Sequence, residues 1–241
     1  MATDMTDTKH LTTFDFPLSP NLTLMLNQKN NSHSHGTTVW DSAKVLAYYL
    51  YDTLKKQPAN RTPRTCIELG SGCGLGGLTM AALGFDSVVT DLQSVVDDVL
   101  RDNVSRNDWL MRQALPTCAR ISVAALDWVA FSAAEVSETT GFLPWYDYVL
   151  GSDCVYSMAL IGPFLDCVRR LSIAGSTVLI SLERRDNEVV ERFVQVAKDK
   201  GFDVKQVSKR LLRLKEVGNT DVEIWKLKRR RGEGEVKRTD G

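Results

Sequence analysis

The sequence predicts a doubly wound α/β protein: a mostly parallel sheet with helices on both faces and an antiparallel pair of strands at its C-terminal edge. Three observations carry this expectation. From residue 65 onward short apolar runs alternate with helical stretches, the order that builds βαβ units. The stretch CIELGSGCGLGG (66–77) sets five glycines directly between an apolar run and a small-residue helix. The last two apolar runs, FDVKQVS (202–208) and DVEIWKLK (221–228), follow each other with no helical pattern between them.

Taken in order, residues 1–10 are polar and terminal, so disorder is expected there. LTTFDF (11–16) and LTLMLNQ (22–28) alternate around the turn PLSPN, and the loop NNSHSHG follows, giving an N-terminal hairpin extension over 11–36. His33 and His35 in that loop have no cysteine or carboxylate nearby and read as solvated. Residues 37–57 read as one long helix, with Trp40, Ala43, Ala47, Leu50 and Leu54 at spacings of three and four and Pro58 as the stop. Tyr51 and Lys55 within it spell Y-x-x-x-K, a dehydrogenase pair, but they precede the glycine loop and read as helix surface.

The domain proper is expected over 37–228. TCIEL (65–69) is its first strand, and GLGGLTMAAL (74–83) a helix closed by Gly84. SVVTDL (87–92) is the second strand, followed by a helix near 93–106. RISVAALDW (120–128) and YDYVLGSD (146–153) are the third and fourth strands. ALIGPFLDCVRRL (159–171) is a helix with Pro163 in its first turns. STVLISLE (176–183) is apolar enough for a strand covered on both faces, and NEVVERFVQVAKDKG (187–201) is an amphipathic helix. The tail RRRGEGEVKRTDG (229–241) is charged and glycine-rich, so disorder is expected.

Composition narrows the function. Apolar residues make up 43% and charged residues 25%, the mix of a globular protein. The 30 basic and 30 acidic side chains cancel, so no global field gathers nucleic acid or an acidic membrane. No apolar run approaches the ~18 residues that span a bilayer, and the N-terminus lacks the apolar core of a secretion signal. The expected setting is the cytoplasm, and the nucleus as well stays open; KLKRRR has the composition of an import signal but reads better as a solvated charged end. Neither a membrane nor nucleic acid is an expected partner, and a monomer is expected. The five cysteines form no C-x-x-C pair and read as buried small apolar residues, so no metal is expected.

The glycine loop needs a nucleotide-like ligand. Glycines let backbone approach a ligand without a Cβ in the way, and the exposed helix N-terminus favours an anion. The pyrophosphate of NAD and the carboxylate of S-adenosylmethionine both fit. Glu68, two residues before Gly70, tilts the choice toward a ligand bearing an ammonium group. Asp91, nineteen residues after Gly72, ends the second strand where an acid accepts from ribose hydroxyls. Asp127 and Trp128 end the third strand, suited to the amino group and the face of adenine. Asp153 and Tyr156 in GSDCVY end the fourth strand and reach the same crevice. An acid and a phenol there can hold an incoming amine and aim its lone pair.

These stretches together resemble the seven-β-strand class I methyltransferases, a Rossmann-like fold, and within them the family 16 protein methyltransferases. The likeness runs through TTVWDSA (37–43), ELGSGCGLGG (68–77), VVTDL (88–92), ALDW (125–128) and YDYVLGSDCVY (146–156). It is similar to enzymes that methylate lysine on the AAA ATPase valosin-containing protein and on Hsp70 chaperones, with those acting on elongation factor 1A as near relatives. The resemblance implies S-adenosylmethionine as donor, S-adenosylhomocysteine as product, and a lysine ε-amine of a protein as acceptor. It implies that Trp40 contacts the donor, that Gly70, Ser71 and Gly72 cradle its methionine part, and that Asp91 holds the ribose. Trp128 then flanks the adenine, Ser152 lines the site, and Asp153 and Tyr156 match a D-x-x-Y signature beside the acceptor. Cys73 stands where threonine is common, and Ser152 where alanine is common. Residues 107–119 and 128–145 are less alike and are expected to differ with the substrate. A histidine, arginine, small-molecule or nucleic-acid acceptor stays open, as does a non-catalytic NAD- or nucleoside-binding module.

Overall fold

The computed structural model describes residues 8–29, 36–58, 60–115, 117–134 and 141–231. The segments 1–7 and 232–241, expected to be disordered, lie outside the described residues, as do His33 and His35. The expectation of disorder fails at residues 8–10. Thr8 is buried, and its carbonyl accepts from Gln28 Nε2 at 2.8 Å. The tail also begins later than expected, because Arg229 still belongs to the last strand.

The N-terminal hairpin pairs β1 (Thr13–Ser19) with β2 (Leu22–Asn27), antiparallel. Its inward side chains, Phe14, Phe16, Leu18, Leu24 and Leu26, are fully buried. Phe16 packs on Tyr48 of α1 (Asp41–Thr53) with ring centroids 4.7 Å apart. The helix is shorter than the sequence implies at both ends. At its start Val39 N–H donates to Gln28 Oε1 at 2.7 Å, so the residues before Asp41 are extended against the hairpin. At its end Gln57 N–H donates to Leu83 carbonyl at 2.8 Å, drawing the chain off the helix axis. Both are tertiary contacts overriding helical periodicity.

The remaining strands form one sheet: β3 (Thr65–Leu69), β4 (Asp86–Asp91), β5 (Ile121–Ala125), β6 (Tyr148–Ser152), β7 (Thr177–Glu183), β8 (Phe202–Gln206) and β9 (Val222–Arg229). Their spatial order is β5-β4-β3-β6-β7-β9-β8. The first five in chain order pair parallel, whereas β9 runs antiparallel to both β7 and β8. The last strand thus inserts between β7 and β8 instead of closing a tight edge hairpin. Its connection from β8 holds a 3₁₀ turn (Lys209–Leu211) and a short helix, α8 (Leu214–Val217), where the sequence suggested no helix.

Helices cover both faces. Tyr148, Leu150, Leu179, Val222 and Ile224 share one cluster with α1, α2 (Leu75–Ala82) and the hairpin. Their alternate neighbours Val149, Val178, Ile180 and Leu227 join a second cluster with α6 (Met158–Arg170) and α7 (Asn187–Asp199). Period-two alternation on strands buried on both sides is what a doubly wound sheet requires. Pro163 sits in the second turn of α6. After β4 the chain continues as α3 (Gln93–Val95), a π-helical turn (Val96–Leu100) and α4 (Arg101–Ala114), which is longer than the sequence suggested.

From β3 the chain winds outward to β4 and β5, then crosses back to β6 and β7. The strand order therefore reverses between β3 and β6, and a crevice opens beyond their carboxyl ends. No helix among the described residues is long and apolar enough to cross a membrane.

Candidate active site

A cavity of about 600 Å³ opens at that crevice, inside the range of small-molecule sites. Its floor is the loop after β3. Gly70 (φ 63°) and Gly72 (φ 54°) adopt left-handed conformations that side chains resist. A Cβ on Gly70 would stand 2.8 Å from the Trp128 ring, and one on Gly72 2.7 Å from the Gly36 carbonyl. Ser71 fixes the loop to the sheet: its N–H donates to the Thr90 carbonyl at 2.8 Å, and its hydroxyl accepts from the Thr90 N–H at 3.0 Å.

Asp91, the last residue of β4, meets this loop. One carboxylate oxygen accepts from Gly72 N–H and the other from Leu92 N–H, each at 2.8 Å. Burial raises its pKa, and these two N–H groups oppose the shift. Each oxygen keeps acceptor capacity beyond its one bond, and the residue lines the cavity.

Asp127 and Trp128 line the cavity but do not end a strand. β5 stops at Ala125, and Asp127 caps a helix that the sequence did not suggest, α5 (Trp128–Ala133). Asp127 Oδ1 accepts from Val129 N–H at 2.8 Å and from Ala130 N–H at 3.3 Å, the standard work of an N-cap aspartate. Trp128 leans on Phe164 of α6, ring centroids 5.0 Å apart, which fixes its plane beside Gly70.

Glu68 departs from the expectation. It is 1% exposed and does not line the cavity. Strand alternation turns its side chain under the start of α2, where Oε2 accepts from Gly77 N–H at 2.9 Å. Burial pushes its carboxyl up to about 7, with the Gly77 N–H pulling the other way. It braces the glycine loop from behind and leaves the cavity to other acids.

Ser152 ends β6, and Asp153 follows with φ 56°, the one non-glycine residue with positive φ among those described. That strained backbone is held by Asp153 N–H donating to Ser181 carbonyl at 2.8 Å. Burial raises the Asp153 pKa, and Arg185 opposes it. Tyr156 stands at the mouth, 54% exposed, its phenol pKa raised chiefly by burial of its inner part. Trp40 also lines the cavity, as the residue that caps α1 and not as part of its body.

Sequence reading missed Arg185. Its guanidinium lines the cavity and donates to Asp153 Oδ2 at 2.9 Å and to Glu183 Oε2 at 2.6 Å. It also lies over the Trp40 ring, 4.7 Å from the centroid. In sequence it is one of two adjacent arginines after β7, and no motif marks which one faces inward. Among the described residues no three His, Cys, Asp or Glu side chains come together as a metal site.

A family model described as lysine methyltransferase matches residues 18–200. The chain belongs to the lysine methyltransferase family. Among its relatives is the protein-lysine methyltransferase METTL21E of Bos taurus, 30% identical over 178 residues, which make up 72% of this chain and 56% of that protein. The protein N-lysine methyltransferase METTL21A of Xenopus tropicalis is 33% identical over 156 residues, 64% of each chain. The protein-lysine N-methyltransferase EEF2KMT of Homo sapiens is 33% identical over 147 residues, 58% of this chain and 42% of that one. The chain thus spans about 56% of the length of the METTL21E it matches.

Solved structures share the class I methyltransferase fold at low identity. The glycopeptide N-methyltransferase MtfA complexed with S-adenosyl-L-methionine superposes with a TM-score of 0.54 at 15% identity, covering 79% of this chain and 95% of that one. Precorrin-6y C5,15-methyltransferase from Geobacter metallireducens gives 0.53 at 14% identity, covering 85% and 94%.

Proposed function

We propose that this protein transfers a methyl group from S-adenosylmethionine to the ε-amine of a lysine in a protein substrate. The observation that carries the reading is the charge of the cavity. Its described lining holds three carboxylates (Asp91, Asp127 and Asp153) against one guanidinium, Arg185. Such a wall repels a dinucleotide pyrophosphate and suits a donor with a sulfonium and an ammonium. With Glu68 turned away, these acids and family membership support the donor in place of the argument from Glu68.

The residues fit that donor. Gly70 and Gly72 let the Trp128 ring and the Gly36 backbone close on the loop where a Cβ would clash, Asp91 offers acceptors for ribose hydroxyls, and the Trp128 ring makes a flat apolar wall. When bound, S-adenosylmethionine supplies a methyl group activated by a cationic sulfur. The chain's own task is the acceptor. A lysine amine with a pKa of about 10.4 arrives protonated at neutral pH. Asp153 draws in that ammonium and, with a pKa raised by burial, takes its proton more readily than an exposed aspartate does. Tyr156 keeps its phenol neutral and offers the freed nitrogen a hydrogen-bond partner that orients the lone pair.

Two measurements test this. S-adenosylmethionine at about 100 times its dissociation constant stabilises the fold by ~2.7 kcal/mol, while NAD leaves the melting temperature unchanged. Labelled donor incubated with a lysate then marks a protein band whose label sits on lysine, and Asp153→Asn abolishes the mark while the protein still melts cooperatively. Stabilisation by NAD in place of S-adenosylmethionine, or label recovered on histidine or arginine, overturns the reading.

A further inference from the structure

The end of β7 and the loop that follows it, Glu183-Arg184-Arg185-Asp186, are bonded at every side chain. Arg184 makes a paired contact with Glu223 of β9, at 2.8 and 3.0 Å. Asp186 caps α7 by accepting from Glu188 N–H at 2.8 Å. Glu183 and the Trp40 ring hold the remaining arginine, Arg185, from two sides. What this loop presents to the cavity is a single guanidinium, and its target is the carboxylate of Asp153, whose side chain is 7% exposed. A rigid loop that delivers one cation to one strained, buried acid is more than surface pairing.

We propose that Arg185 is a positioning residue for the acceptor site: its guanidinium, clamped by Glu183 and Trp40, aims the Asp153 carboxylate and keeps it ionised for the incoming amine. The consequence for catalysis rests on the methyl-transfer reading, whereas the pairing itself does not. Desolvation drives Asp153 toward its neutral form, which would neither attract an ammonium nor accept its proton. Arg185 is the counterweight. Glu183 acts against it by its own charge, but its backbone N–H and its hold on Arg185 act with it. Asp91, Asp127 and Tyr156 face the same cavity from β4, α5 and the loop after β6, and none of them is a cation. Lys9, which is not in the cavity lining, lies over Trp40, 4.1 Å from the ring centroid, as a second cation on that indole.

The test begins on the protein alone, with no donor or acceptor. The side-chain carboxyl of Asp153 is followed by carbon NMR against pH, its signal assigned by its loss in Asp153→Asn. In Arg185→Met and Arg185→Gln the midpoint moves to higher pH than in the wild type, and Arg185→Lys, which keeps a cation, returns it most of the way. The Arg185 side chain is 41% exposed, so its loss opens no core cavity, and two neutral variants guard against one folding poorly. The same variants are then assayed for methyl transfer. The neutral ones lose about tenfold or more in rate at pH 6.5, with a smaller loss at pH 9, and their donor affinity stays within about twofold of the wild type. An unmoved Asp153 midpoint in a folded neutral variant overturns the proposal, as does a uniform loss at all pH values. Absence of transfer by the wild type, with the midpoint shifted as expected, strikes the proposed function and leaves the pairing intact.

Discussion

Glu68 shows how one carboxylate is shaped by where its strand puts it. Its Oε2 is bonded to Gly77 N–H, while Oε1 has no hydrogen-bond partner among the described residues. The folded protein holds its proton up to about pH 7, against an ordinary value of 4.5 in the unfolded chain. The native state therefore binds this proton more tightly than the unfolded one. Its contribution to stability is complete below pH 4.5 and is lost as pH rises through 7, a change of about 3 kcal/mol. Glu68→Gln removes that slope. The stability of the variant relative to wild type, from urea midpoints, should climb between pH 5 and pH 8; a difference that stays flat would remove the raised carboxyl.

At the level of elements, the approach of α2 to β4 depends on a missing side chain. A Cβ on Gly77 would lie 2.1 Å from Val89 Cγ1. Gly77→Ala should cost about 1–3 kcal/mol by forcing helix and strand apart. Gly162, inside α6, has no atom within 4 Å of such a Cβ, and Gly162→Ala should stabilise by about 0.5–1 kcal/mol. Equal effects from the two alanines in thermal melts would contradict this packing. The core strands were legible because apolar runs bounded by glycine and charge need little context: TCIEL is β3 as read, and STVLISLE contains β7. Helix limits were less legible. α4 continues to Ala114 because Asn103, Asn107 and Met111, spaced four apart, are all buried against the hairpin side. Asparagine in a helical register is a poor helix signal, so its packing role is silent in sequence.

For the molecule as a whole, those asparagines decide how the N-terminal extension sits on the domain. Asn107 Oδ1 accepts from Met25 N–H at 2.9 Å, and its Nδ2 donates to Met25 carbonyl at 2.8 Å. Asn103 does the same for Asn27, at 2.7 and 3.0 Å. Two side-chain amides thus stand in for a neighbouring strand along the outer edge of β2, which would otherwise expose unpaired backbone groups. Asn107→Ala leaves both Met25 groups unpaired and should lower stability by about 2–3 kcal/mol, with the Met25 amide losing protection from hydrogen exchange. Unchanged exchange at Met25 would show that the hairpin docks by its apolar face alone. The docked hairpin in turn carries Gln28, which holds Val39 and so sets Trp40 at the cavity wall.

The sequence alone determined the class of fold, the glycine loop, and which of Asp91, Asp127, Trp128, Ser152, Asp153 and Tyr156 meet in one cavity, though Asp127 and Trp128 come to it from the start of α5 and not from a strand end. Those features follow from periodicity, turn chemistry and chain order, which act over a few residues. The tertiary structure decided where Glu68 points, which arginine meets Asp153, and how the hairpin is fastened. Arg185 and Asp153 are 32 positions apart, and Met25 and Asn107 are 82 apart. Such pairings depend on which faces the packed sheet brings together, and no local pattern in the chain encodes that meeting.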